Sequence, residues 1–215
     1  MSISTERRAK CREIFKNHHA EMILDTDRFA IIDWRDENGV KYYINYVVDK
    51  LKGTLTVTGS CGRSIANYSH PITLSELRTA VNNENDYLNK LRITTARFEY
   101  DIDVMLEKLK SMADNDSIAE FIDSDDPDDI DKFWCAVRCD LDKIIINDTD
   151  EGERLVDYAL DEFDTDGMLT YCCNCESDEI HNAILEGRRI AMPVFLWSVG
   201  FDMACEELGI KPAHQ

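Results

Sequence analysis

Cysteine is the residue type in this chain with the most chemistry to offer. Cys135 and Cys139 lie four residues apart, and Cys172, Cys173 and Cys175 follow downstream with His181 six residues beyond the last. On a helix starting at Asp128, with Ile130 set at zero, the apolar stripe lies within about 60° of zero, while Cys135 and Cys139 fall at about 140° and 180°. Two thiolates one turn apart, joined by Cys173 and Cys175 from a tight loop, have the ligand type and number of a tetrahedral zinc site. Cysteine is equally an ordinary small core residue, and a helix packed on both sides would bury the same thiols with no metal or other cofactor. Both readings stand at this level.

Three further segments have partial motifs. In Glu162-Phe-Asp-Thr-Asp-Gly167, Asp164, Asp166 and Gly167 fit the early positions of a calcium loop, but Cys173 falls where the bidentate glutamate belongs. A turn after a helix accounts for it better. Gly59-Ser-Cys-Gly-Arg-Ser64 follows a strand and has the composition of an anion cradle, yet it lacks the phosphate-loop spacing and a following helix. A tight turn with Gly62 at positive φ is the simpler expectation. His18 and His19 read as part of a polar helix face turned to solvent. Nothing places a base beside Cys61, so no catalytic residue is assigned.

The carboxylates form the larger signal. Net charge is −19, from 24 basic and 43 acidic residues. Residues 1–100 contain 15 Lys/Arg and 13 Asp/Glu, whereas residues 101–179 contain 6 and 26. A solubilising surface would explain this excess, and so would a face that meets a basic partner. The densest part is Asp123-Ser-Asp-Asp-Pro-Asp-Asp-Ile-Asp131. Its Asp123, Asp125, Asp126, Asp128, Asp129 and Asp131 are the candidate partner-binding residues. Direct binding of nucleic acid by this half is disfavoured, because phosphate is repelled.

The elements that must position these groups are legible from periodicity. Residues 5–22 read as a helix. Strands follow near 28–35, 40–48 and 53–59, with turns at Asn38-Gly39 and Lys52-Gly53 and with Leu55 and Val57 on the buried face. Gly59 to His70 is a loop or a fourth, edge strand. Thr73 and Glu76 have the spacing of a capping box, with Ile72 and Leu77 as its hydrophobic staple. Short helices are expected over Asp86–Leu91, Asp101–Met112 and Glu153–Phe163, and a strand over Ile93–Tyr100. Asp126-Pro127 starts a long helix with its stripe on Ile130, Phe133, Trp134, Val137, Leu141, Ile144 and Ile145. Pro193–Leu208 is the last helix, stopped by Gly209. The fold class is α+β: an N-terminal helix, a three- to four-stranded antiparallel meander, then a mostly helical acidic second half. The division is 1–100 and 101–215, or one single compact domain. No signal peptide or membrane span is expected, and the cysteines fit a reducing cytoplasm.

Four segments together carry a resemblance: Ile31-Ile-Asp-Trp-Arg35, Gly53-Thr-Leu-Thr-Val-Thr-Gly59, Asp86-Tyr-Leu-Asn-Lys-Leu-Arg92, and the stretch from Glu186-Gly-Arg-Arg-Ile-Ala-Met-Pro to Leu208. The set is similar to a group of phage and prophage accessory proteins of Gram-positive gut bacteria. No catalytic motif and no functional residue comes with it, and the position of Cys61 is more often aliphatic in that group. The resemblance implies a protein acting in the cytoplasm of a bacterial host. By analogy it implies an anti-defence role: a DNA mimic that inhibits a basic host protein such as a CRISPR effector or another defence nuclease. The alternative is a small-molecule binder or enzyme of phage metabolism with a pocket between the sheet and the helices.

Overall fold

Alternation of apolar and polar residues builds the first half of the protein, and helical periodicity builds most of the second. The computed structural model describes residues 3–37, 41–95, 97–147 and 168–213. Within it the chain forms two units, Met1–Arg97 with Ile190–Gln215, and Phe98–Arg189. The fold is α+β.

In the first unit, α1 (Ile3–Ile14) precedes β1 (His18–Asp25), β2 (Phe29–Asp36), β3 (Ile44–Asp49), β4 (Thr54–Gly59) and β5 (Ser64–Asn67). After α2 (Leu74–Asn82) and α3 (Glu84–Lys90), β6 (Leu91–Thr94) completes a six-stranded antiparallel sheet in the order β1-β2-β3-β4-β5-β6. One face is dry. Ile32, Trp34, Ile44, Tyr46, Val48, Leu55, Val57 and Ala66 are buried there at period two. The last helix of the chain (Met192–Glu207) lies on β1–β3 and contacts α1 and α2. It is apolar almost all round, as a helix enclosed on every side must be. Gly200 allows the close approach: a Cβ there would meet the Tyr46 hydroxyl at 2.5 Å and Trp34 at 3.2 Å. That hydroxyl donates to the Trp197 carbonyl at 2.9 Å. At the β4 turn, Gly53 has φ +63°, and an added Cβ would sit 1.9 Å from the His70 carbonyl oxygen.

The α2 start is a complete capping box. The Thr73 hydroxyl accepts the Glu76 N–H at 3.2 Å, and the Glu76 carboxylate accepts the Thr73 N–H at 2.8 Å. Thr73→Ala is therefore expected to lower stability by about 1 kcal/mol. A denaturation midpoint shifted down with unchanged slope would show it, and an unshifted midpoint would count against the cap.

Several elements differ from the sequence expectation. The segment 5–22 is not one helix: α1 ends at Ile14, and His18–Asp25 is a strand. Its backbone groups find partners along β2, from His18 opposite Asp36 to Asp25 opposite Ala30, which a surface helix would have left unpaired on the β2 edge. His18 faces inward in consequence. It is buried, with ring centroids 4.9 Å from Phe15 and 5.5 Å from Trp34. Desolvation there lowers the imidazole pKa. Within the stretch from Gly59 to His70, Ser64–Asn67 is a strand and not an edge, since β5 runs between β4 and β6, and loop flanks it on both sides. Ile93–Tyr100 divides between β6 and β7 (Phe98–Tyr100), which belong to different sheets. The Asn38-Gly39 turn, the Glu153–Phe163 helix and the Glu162–Gly167 loop lie outside the described residues.

In the second unit β7 pairs with β8 (Arg188–Ile190). Between them come α4 (Ile102–Met112), α5 (Asn115–Ile122), α6 (Pro127–Asn147), α7 (Met168–Cys173) and α8 (Ser177–Leu185), with α9 (Met192–Glu207) returning the chain to the sheet unit. The chain passes between the two units near 97 and again near 190. The helices enclose a separate core of Met105, Leu109, Ile118, Phe133, Trp134, Val137, Leu141, Leu169, Cys172 and Ile180. Among the described residues no helix is long and apolar enough to cross a membrane.

Candidate functional site

Charge divides along the same line as the fold. The sheet unit has 16 basic and 15 acidic residues, a net +1, and the helical unit has 8 and 28, a net −20. Six of the helical unit's cations have local partners among the described residues. Lys108 pairs with Glu186 at 3.0 Å, Lys132 with Asp129 at 2.6 Å, Arg138 with Asp103 at 2.6 Å and Arg189 with Asp101 at 2.8 Å. Lys110 lies 5.6 Å over the Trp134 ring and Arg188 lies 4.0 Å over Phe98. The unit's 28 acidic residues outnumber its 8 basic ones.

The acidic run bridges α5 and α6, and its six aspartates have different duties. Asp123 ends α5 in the left-handed region at φ 53°, a conformation that Asp tolerates better than most residues. Asp126 precedes Pro127, and its carboxylate accepts the Asp128 N–H at 2.9 Å. Asp129 is half-buried and accepts from Ser124 Oγ at 2.8 Å and from Lys132 Nζ. The Lys132 and Ser124 hydrogen bonds hold its carboxyl below the usual range. Asp125, Asp128 and Asp131 are exposed around the α6 N-terminus. Asp126 and Asp129 thus build the corner, while Asp125, Asp128 and Asp131 present charge from it.

Next to this corner is an aromatic outcrop that sequence periodicity gave no reason to select. Phe121 and Tyr171 are 47% and 48% exposed, with ring centroids 6.3 Å apart. Phe121 in turn lies 6.5 Å from Phe133, which meets Trp134 edge-on at 5.2 Å. The rings form a ladder from core to surface. Interaction with the Glu120 carboxylate, together with desolvation, raises the Tyr171 pKa. A cleft of about 680 Å³ runs beside Tyr171, lined also by Asp114, Ser117, Asn174, Glu176 and Glu179.

The cysteines do not assemble into a ligand set. Cys135 and Cys139 are exposed on the outer face of α6, Cys173 is buried at the end of α7 with its thiol toward the Leu109 carbonyl, and Cys175 is half-buried. Among the described residues no group of three or more His, Cys, Asp and Glu side chains is arranged to hold a metal ion. Cys173 ends a helix rather than lying in a loop, because Leu169 and Cys172 beside it belong to the same core.

Two of the N–H groups in the Gly59–Ser64 turn are already taken. The Ser60 N–H is bound to the Tyr43 carbonyl at 2.9 Å and the Arg63 N–H to Thr95 Oγ1 at 3.3 Å. Gly62 adopts φ +93°. Burial raises the Cys61 thiol pKa, opposed by its contact with Ser60, so the thiolate is not favoured. In the sheet unit, a cleft of about 650 Å³ lies on the helical side, lined by Arg8, Thr79, Asn82, Asn83, Glu84 and Asn85 among others. Arg8 there is hydrogen-bonded to Asn82 and faces Glu84 at 4.0 Å.

Comparison with known proteins finds no family model, no curated protein and no solved structure that matches the chain.

Proposed function

We propose that the helical unit is a polyanionic docking surface for a basic, nucleic-acid-handling protein, and that the chain is a phage-encoded inhibitor of a host defence nuclease. The observation that carries this reading is the confinement of charge: −20 on one unit and +1 on the other. General solubility needs no such partition. Duplex DNA presents about one negative charge per 1.7 Å of axis, and a groove built to neutralise that density also attracts a concentrated carboxylate surface. The pairing of Lys108, Lys132, Arg138 and Arg189 with neighbouring carboxylates, and the placing of Lys110 and Arg188 over rings, support the same reading.

The test is competition. A nuclease captured from host lysate by this protein should be held at low salt, released as ionic strength rises through the physiological range, and displaced by excess duplex DNA. Its nuclease activity should fall as the protein is added and return as DNA outcompetes it. Capture that is indifferent to both salt and duplex would sink the polyanion reading.

A further inference from the structure

We infer that the Tyr171 cleft is an arginine-selective subsite, which receives an arginine side chain from an extended segment of the basic partner. This deepens the docking reading above and rests on it.

The cleft offers two features that a guanidinium satisfies together. One wall is a flat aromatic ring, half-exposed and next to Phe121, the outer rung of the Phe121–Phe133–Trp134 ladder. The Phe121 ring, 6.3 Å away, packs beside the Tyr171 ring and limits the rotamer freedom it has left to lose on binding. The other walls bring Asp114, Glu176 and Glu179. Asp114 and Glu179 are oriented by backbone bonds: Asp114 accepts the Ser117 N–H at 3.3 Å and Glu179 accepts the Glu176 N–H at 3.1 Å. A planar guanidinium can lie on the ring and still direct its edge N–H groups at carboxylates. An ammonium is a hydrated point charge that gains the carboxylates but makes poorer use of the ring. The unit itself shows both cation types over rings, with the Arg188 guanidinium at 4.0 Å over Phe98 and the Lys110 ammonium at 5.6 Å over Trp134. Among the described residues no cation lies over Phe121 or Tyr171. The occupant is set by charge complementarity: a face of a −20 unit calls for a cation, and the ring selects arginine among cations.

The experiment titrates the full chain with oligo-arginine and oligo-lysine peptides of equal length at low ionic strength, following binding by calorimetry. The arginine peptide should bind about three- to ten-fold tighter than the lysine peptide. Tyr171→Leu should remove that preference and leave lysine-peptide affinity almost unchanged. Tyr171→Phe, which keeps the ring, should preserve the preference and guards against a folding defect in the leucine variant. Neutralising Asp125 and Asp131 to Asn should weaken both peptides alike. Equal affinity for the two peptides, or a preference that survives Tyr171→Leu, overturns the arginine subsite while leaving the polyanion surface standing. Failure of both peptides to bind overturns the subsite and the polyanion reading together.

Discussion

Asp202→Ala is expected to destabilise the protein by about 3–5 kcal/mol, the cost of leaving a buried charge network without its centre. Asp202 lies on α9, with only 7% of its side chain exposed. Its carboxylate accepts from Arg78 Nε at 2.8 Å and Asn82 Nδ2 at 2.9 Å on α2, and from Arg12 at 2.6 Å on α1. Arg78 is itself mostly buried, with 12% of its side chain exposed, and also donates to the Ile210 carbonyl at 2.5 Å. Removing the carboxylate therefore strands a guanidinium that has little access to water. Burial pushes the Asp202 pKa up, and is the largest single influence. The hydrogen bonds from Arg78 and Asn82 and the charges of Arg78 and Arg12 outweigh it, so the net shift is downward. A carboxyl whose folded pKa is depressed contributes stability that is complete above its unfolded value near 3.8 and is lost as pH falls through the lower folded value. Chemical denaturation across pH reads both parts. The alanine variant should have a lower midpoint at neutral pH, and Asp202→Asn should flatten the acid limb of the stability curve. An alanine variant within about 0.5 kcal/mol of the parent would mean that the network is solvated and not a lock between α9 and its neighbours.

How far such features are legible in the sequence depends on whether their cause is local. The Thr73–Glu76 box, the Pro127 helix start, the Gly209 stop and the alternation in Thr54–Thr58 each depend on neighbours a few residues away, and each is readable. β1 is not, because His18-His-Ala-Glu-Met-Ile-Leu-Asp25 has the composition of a surface helix and becomes a strand only by pairing with β2. α5 escapes notice because eight residues give too few turns for a period to show. The Asp202 network joins α1, α2 and α9, and no spacing announces it. The acidic run is legible as a run, but its division of labour is not. That Asp126 and Asp129 hold the corner while Asp125, Asp128 and Asp131 stay exposed follows from Ser124, Lys132 and the helix start acting together. Phe121 and Tyr171 are far apart in sequence, and an aromatic residue at helical spacing reads as core until its exposure is measured. For the cysteines, spacing correctly placed Cys135 and Cys139 opposite the apolar stripe, but it carries no information on which face α7 turns toward α6.

Reversing charge at Asp125 and Asp131, as Asp125→Lys with Asp131→Lys, is expected to slow association with a basic partner by about ten- to a hundred-fold at low salt. The pair changes the helical unit from −20 to −16 and plants two cations at the corner where the carboxylates are densest. Both positions are exposed, and neither carboxylate makes a hydrogen bond within the described structure. The fold should therefore tolerate the change, and thermal stability should hold or rise slightly as like-charge repulsion falls. Asp126→Ala and Asp129→Ala should behave in the opposite way. The first removes the acceptor for the Asp128 N–H, the second the acceptor for Ser124 and Lys132, so stability should drop at the α6 start for a smaller loss of surface charge. Stopped-flow association rates measured beside thermal melts separate the two effects. The rate penalty of the lysine pair should shrink as salt rises, because electrostatic steering is screened over a Debye length of about 8 Å at physiological ionic strength. A lysine pair that associates and inhibits like the parent at every salt concentration would place the interface away from this corner, and would leave the aspartate run as a solvated connection between α5 and α6.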